Sequence, residues 1–180
     1  STGTIGAGLT TSYWRDRRDN VIKVQAPGAP TQKYLYDGAS RATVSYLSDG
    51  GGDSTWSDAK TVTGDTVLEQ TEISLDGIGN PILVNTRKRF HDATGTGSLQ
   101  AATSTVSPSR SSYQAYYYDA AYRLTDMVDV GSNGGSTYTR PTSVPSRSDT
   151  ALVTSFIFDG ASNVQNVTDP KGIVRRTNYD

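Results

Sequence analysis

His91 is the only histidine in 180 residues, and it stands in the run Phe90-His91-Asp92. Serine is abundant, so a Ser-His-Asp arrangement for acyl transfer is conceivable. No Gly-x-Ser-x-Gly elbow occurs, however, and His91 falls where a strand runs into a loop, a poor platform for a nucleophile. One histidine and no cysteine leave too few ligands for a zinc site. Sixteen aspartates make carboxylate pairs easy to find. Glycoside hydrolysis needs one member of such a pair held protonated in a pocket, whereas these aspartates sit at turn signals, where capping in contact with water is the default. Asp49, Asp53, Asp58 and Asp65 crowd one loop that could offer oxygen ligands to Ca2+, but their spacing matches no Ca2+ loop. The sequence therefore predicts no catalytic residue, no metal site and no cofactor.

Aromatic side chains on a sheet can stack on sugars. Trp14, Trp56, Tyr117 and Tyr138 are the candidates for carbohydrate stacking, with Tyr113 and Tyr122 beside them. Tyr117 has the opposite strand parity to Tyr116 and Tyr118, so one face of that strand must turn aromatic surface outward or into a partner, unless the adjacent loop covers it, which is the favoured reading.

The elements that would carry these residues come from a repeated phrase. Its clearest copy is Phe158-Asp159-Gly160-Ala161-Ser162-Asn163, followed by a short strand and the turn Asp169-Pro170-Lys171-Gly172. Matching sites are Tyr36-Asp37 with Arg41, Leu75-Asp76 with Asn80, Tyr118-Asp119 with Arg123, a degenerate Arg15-Asp16 with Asn20, and the closing Tyr179-Asp180. The aspartates at 16, 37, 76, 119, 159 and 180 are 21, 39, 43, 40 and 21 residues apart. Two intervals are a bare repeat and three are nearly double, as when loops grow on one rim of a repeat architecture. The columns agree too. Tyr13, Tyr34, Ile73, Tyr116, Phe156 and Thr177 stand three before the six aspartates, and Val24, Ser45, Val84, Met127 and Val167 stand eight after the first five.

This pattern resembles the RHS or YD-repeat family, whose phrase is Tyr-Asp, two variable residues, Gly-Arg or Gly-Asn, then an apolar residue. The resemblance runs over about residues 13–180. It departs from the family at Leu75 and Phe158, where tyrosine is usual, and at the serines and tyrosine that replace the glycine. The three long insertions are a further departure.

Composition bounds the rest. Asp outnumbers Glu 16 to 2, Ser and Thr total 45, Tyr is 11 and Gly is 18. That is a supply for strands and turns, with little for helix interiors. Net charge is −1, so no global field attracts nucleic acid. No apolar run is long enough to span a membrane as a helix. The expectation is an all-β chain: residues 1–12 as an extended arm, then 13–180 as one curled or spiralling antiparallel meander of about 11 strands. Its insertions should lie on one rim.

The resemblance implies a wall of β-sheet, as in shells that enclose a toxin or in large extracellular receptor bodies. It points to a non-catalytic structural module at the cell surface or outside the cell. The partners expected are neighbouring repeats or copies of the chain itself, joined through edge strands into a tube or filament. A carbohydrate-binding adhesion module is the alternative. Because the sequence stops at Tyr179-Asp180, in mid-phrase, both sheet edges are expected to be open and the chain not to persist as a lone monomer.

Overall fold

The computed structural model describes residues 8–179. Eleven strands run in chain order: β1 (Ser12–Arg15), β2 (Val21–Gln25), β3 (Thr31–Tyr36), β4 (Ala42–Ser48), β5 (Val67–Leu75), β6 (Pro81–Arg89), β7 (Ser109–Tyr118), β8 (Leu124–Gly131), β9 (Leu152–Phe158), β10 (Val164–Thr168) and β11 (Val174–Arg176). Each pairs with its sequence neighbours in one sheet, and the pairing is antiparallel. Strand β7 starts earlier than the sequence pattern suggests, and β11 is shorter. A single helical turn, α1 (Trp56–Ala59), forms where Thr55 caps the backbone N–H of Asp58 and the Asp58 carboxylate returns the bond to Thr55.

Four hairpins share one register. Counting from the turn aspartate, the residue three before pairs with the residue eight after: Tyr13 with Val24, Tyr34 with Ser45, Tyr116 with Met127, and Phe156 with Val167. Next to the turn, the residue one before pairs with the residue five after, as in Tyr36 with Ala42 and Tyr118 with Leu124. The two offsets differ by one residue, so each hairpin carries a bulge at the same place. The extra residues are Ile22, Thr43, Thr125 and Gln165. Where threonine occupies the bulge its hydroxyl meets a backbone carbonyl across the hairpin, Thr43 to Leu35 at 3.5 Å and Thr125 to Tyr117 at 3.2 Å. The two sequence columns are thus cross-strand neighbours.

The chain forms two compact units, Ser1–Thr71 with Lys88–Ser109, and Glu72–Arg87 with Arg110–Asp180. Each has its own core, and in each an inserted loop supplies part of it. In the first, Tyr46 and Val67 of the sheet pack with Val62 and Leu99 from the loops at 49–66 and 90–108. Those loops are fixed by Gly97 N–H to the Asp65 carbonyl (2.8 Å) and Leu99 N–H to the Gln70 side chain (2.8 Å). In the second, Ala115, Tyr117, Val128 and Val153 form the core, with Tyr138 of the 132–151 loop packed on it. A single sheet must hide one apolar face, and here the insertions supply cover for it.

Candidate functional site

The Tyr-Asp turn is built the same way five times. In each, the aspartate N–H donates to the carbonyl four residues on, at 2.9–3.0 Å, for Asp16, Asp37, Asp76, Asp119 and Asp159. One carboxylate oxygen, Oδ1, accepts the backbone N–H groups two and four residues on. For Asp119 these are Ala121 and Arg123, both at 2.9 Å, and for Asp37 they are Ala39 and Arg41 at 2.8 and 3.0 Å. The other oxygen, Oδ2, takes the side chain four residues on: Asn20 at 3.0 Å, Arg41 at 2.7 Å, Asn80 at 2.9 Å, Arg123 at 2.7 Å and Asn163 at 3.1 Å. Aspartate suits the position because its short stem reaches the turn it starts while leaving a second oxygen free. The two arginines add a second contact, Arg41 Nη2 at 2.6 Å and Arg123 Nη2 at 2.7 Å, giving forked pairs.

Those donors hold the carboxyls below the usual range. For Asp37, Asp119 and Asp159 the backbone N–H four residues on is the leading cause. For Asp16 it is the Asn20 side chain. At Asp76 burial pushes upward, but the Asn80 backbone and side-chain bonds, with those of Ile78 and Gly79, outweigh it. Asp169 opens a turn of the same build, accepting the N–H groups of Lys171 and Ile173 at 2.9 Å, with no side-chain partner in the fourth place. Asp180 lies outside the described residues.

The residue three after each aspartate adopts a left-handed backbone. It is Asp19 (φ 67°), Ser40 (61°), Gly79 (106°), Tyr122 (61°), Ser162 (67°) and, after Asp169, Gly172 (83°). Only two of the six are glycine, although the conformation favours it. Two of the serines hold the turn ladder together. Ser40 Oγ accepts from Asn20 of the preceding turn at 3.1 Å, and Ser162 Oγ accepts from Arg123 of the preceding turn at 3.1 Å.

The tyrosine before the aspartate completes the site. Tyr36 donates its hydroxyl to the Val21 carbonyl at 2.8 Å, Tyr118 to Pro81 at 2.8 Å, and Tyr179 to Val164 at 3.1 Å. Each acceptor lies five residues after the previous Tyr-Asp aspartate. Each tyrosine therefore ties its strand to the repeat before it. Phe158 has no hydroxyl, and there the Arg123 guanidinium lies over its ring at 4.7 Å.

The sugar-stacking candidates fare differently. Tyr117 is buried. The 132–151 loop covers it, with its hydroxyl bonded to the Pro141 carbonyl (3.2 Å) and the Arg140 guanidinium over its ring at 4.0 Å. Tyr138 packs on the same core, its ring 5.8 Å from that of Tyr113. Trp14 has Lys23 Nζ over its ring at 4.5 Å, and half-exposed Trp56 has Lys60 Nζ at 3.9 Å. Trp56 also donates to the Arg15 carbonyl at 2.7 Å. His91 is 97 % exposed at its side chain, with Asp92 4.0 Å away.

The four loop aspartates do not converge. Asp49 accepts Gly51 and Thr66 N–H, Asp58 caps α1, and Asp53 and Asp65 face two lysines. Among the described residues no three potential ligands gather for a metal. The lysines were not singled out from the sequence. Lys23 and Lys33 pair directly across β2 and β3, an arrangement of like charges that is unfavourable unless carboxylates join it. Their symmetric placement about Gly28 in the Pro27–Pro30 turn is the signal that could have revealed them.

No family model matches the sequence, and no curated protein matches it. Among solved structures the chain is similar to the crystal structure of TcdB2-TccC3-TEV, at 10 % identity and a TM-score of 0.43, over 92 % of this chain and 8 % of that one. It is also similar to the crystal structure of TcdB2-TccC3-Cdc42, at 15 % identity and a TM-score of 0.32, over 89 % of this chain and 9 % of that one. The chain thus spans less than a tenth of the length of either.

Proposed function

We propose that the chain is a non-catalytic structural module of the RHS or YD-repeat kind, a stretch of β-sheet wall in a shell, tube or filament outside the cell. The observation that carries this reading is the tyrosine bridge. Tyr179 meets Val164 as Tyr36 meets Val21, each 15 residues back. The last described repeat is docked on its predecessor by the same contact as the second. A sheet built by one recurring contact grows by repeating it. The repeated chemistry of the turns supports the same reading, since their carboxylates are committed to their own backbone.

Growth beyond the chain runs through β1 and β11, by strand addition from another copy. In the β10–β11 pair, Thr177 N–H bonds Gln165 and Asp169 N–H bonds Ile173. By antiparallel alternation the N–H groups of Val174 and Arg176 point away from β10. Since β1 and β11 differ, joining them is heterologous and gives a ring or an open fibre. Sedimentation velocity over a wide concentration range tests this. The chain is expected to form larger species that Val174→Pro, which removes an outward donor, abolishes. A discrete monomer at every concentration contradicts it. Turnover on ester, peptide or glycoside substrates that disappears in a folded His91→Ala variant would contradict the non-catalytic part.

A further inference from the structure

We propose that Lys33 and Asp65 join in an intramolecular amide bond, a covalent staple between β3 and the base of the 49–66 loop. Four charged side chains meet there, each at most 5 % exposed: Lys23, Lys33, Asp53 and Asp65. Lys33 Nζ lies 2.6 Å from Asp53 Oδ2 and 2.8 Å from Asp65 Oδ2, and Lys23 Nζ lies 3.0 Å from Asp53 Oδ2. One bond beyond Oδ2, the Asp65 carboxyl carbon falls about 3.5 Å from the nitrogen, within near-attack range.

The two oxygens of Asp65 are not equivalent. Oδ2 accepts from Ser48 Oγ at 2.9 Å, and that hydroxyl has its proton free for the purpose because it accepts Gly50 N–H at 3.1 Å. Oδ1 is buried without a hydrogen-bond partner. A Cβ at residue 51 would come within 2.6 Å of it, so the glycine there closes directly over this oxygen. A buried, unpartnered carboxylate oxygen is costly, and its departure as water removes that cost.

The step balances. Asp53, touching the same nitrogen, takes one proton from the Lys33 ammonium. The freed amine attacks the Asp65 carboxyl carbon, the N–C bond forms, and the C–Oδ1 bond breaks. Two of the three ammonium protons leave on Oδ1 as water, one of them relayed by Asp53, which ends as the carboxylate it was. Nothing is oxidised or reduced. The product is already accommodated. Its remaining N–H has the Thr61 carbonyl 2.6 Å away, with that of Asp58 at 3.2 Å, and its carbonyl oxygen keeps Ser48. Two positive and two negative buried charges become one pair, Lys23 with Asp53, and neutrality is preserved. In a chain without cysteine, such a bond supplies the cross-link that a disulfide supplies elsewhere.

The test is the mass of the purified full chain under denaturing conditions, followed by tryptic mapping. The expected result is a mass about 18 Da below that of the sequence, one water, with no cleavage after Lys33 and its peptide joined to the one holding Asp65. Lys33→Arg and Asp65→Ala should restore their full sequence masses, and Asp53→Asn should do so while keeping both bonding residues. If a variant fails to fold, the wild-type mass alone decides. A full sequence mass with cleavage after Lys33, or a cross-link mapped to any other pair, overturns the proposal and leaves the cluster an ion-pair network.

Discussion

The Tyr118 hydroxyl lies 2.8 Å from the Pro81 carbonyl, 37 residues back in sequence. Tyr36 reaches Val21 across only 15 residues, yet both acceptors stand five after the preceding Tyr-Asp aspartate. The difference in sequence separation is entirely insertion. The insertion between Pro81 and Tyr118 therefore leaves this contact between successive repeats unchanged.

Tyr118→Phe removes that bond and leaves the ring. The expected loss is about 0.5–1 kcal/mol, toward the low side for a hydrogen bond because the site is accessible to water. Phe158→Tyr, which places a hydroxyl toward the Leu124 carbonyl by the same rule, should gain about 0.5 kcal/mol. Denaturant melts of the two variants check both signs.

Asp119→Ala deletes two backbone bonds and the Arg123 fork at once. A fall in Tm of several degrees is expected. The exposed Asp149 gives the control, since its replacement by alanine should leave Tm nearly unchanged.

Acid should act on the same groups. Asp16, Asp37, Asp76, Asp119 and Asp159 all have carboxyls lowered in the folded chain. Their contribution is then fully present above the unfolded carboxyl value of about 3.9, and is lost as pH falls below it through the folded values. Melts should give constant stability from neutral pH to about pH 5 and a steep decline below about pH 4. Stability unchanged down to pH 3 would count against the turn carboxylates.

The left-handed positions make opposite predictions by residue type. Tyr122 is largely exposed with φ 61°. Tyr122→Gly should stabilise by about 0.5 kcal/mol, the relief of left-handed strain less the added freedom of the unfolded chain. Gly172 has open space around it at φ 83°, so Gly172→Ala should cost about 1 kcal/mol through backbone strain alone.

Leu99 comes from a loop yet is 2 % exposed in the first core. Leu99→Ala should therefore cost about 2–3 kcal/mol, as a core residue does. A surface-like loss of a few tenths would mean that the insertion does not cover the sheet.

Much of this was legible in the sequence because the repeat is local. The strand count and antiparallel order follow from the turn aspartates. The columns holding Tyr34 and Ser45, and Tyr116 and Met127, are visible as repeat positions, but the bulges at Thr43 and Thr125 that pair them across each hairpin leave no mark in the pattern. Parity placed Tyr117 on the face opposite Tyr116, where the adjacent loop is the expected cover, but did not say that Arg140 and Pro141 would be the residues to supply it. The Lys23, Lys33, Asp53 and Asp65 cluster was illegible for the same reason. Its lysines look like ordinary solvated strand residues until the 49–66 loop folds over them. Long-range loop closure follows no local period, and the pattern was silent wherever an insertion decided burial.

We propose that the sheet continues from one copy to the next through its edges. Amide hydrogen exchange at Val174 and Arg176 tests it residue by residue, because their N–H groups face away from β10 while those of Arg175 and Thr177 face it. The account predicts that exchange at Val174 and Arg176 slows as concentration rises, and that Val174→Pro cancels the slowing at Arg176. Rapid exchange at both, unchanged by concentration while Arg175 and Thr177 stay protected, would contradict it.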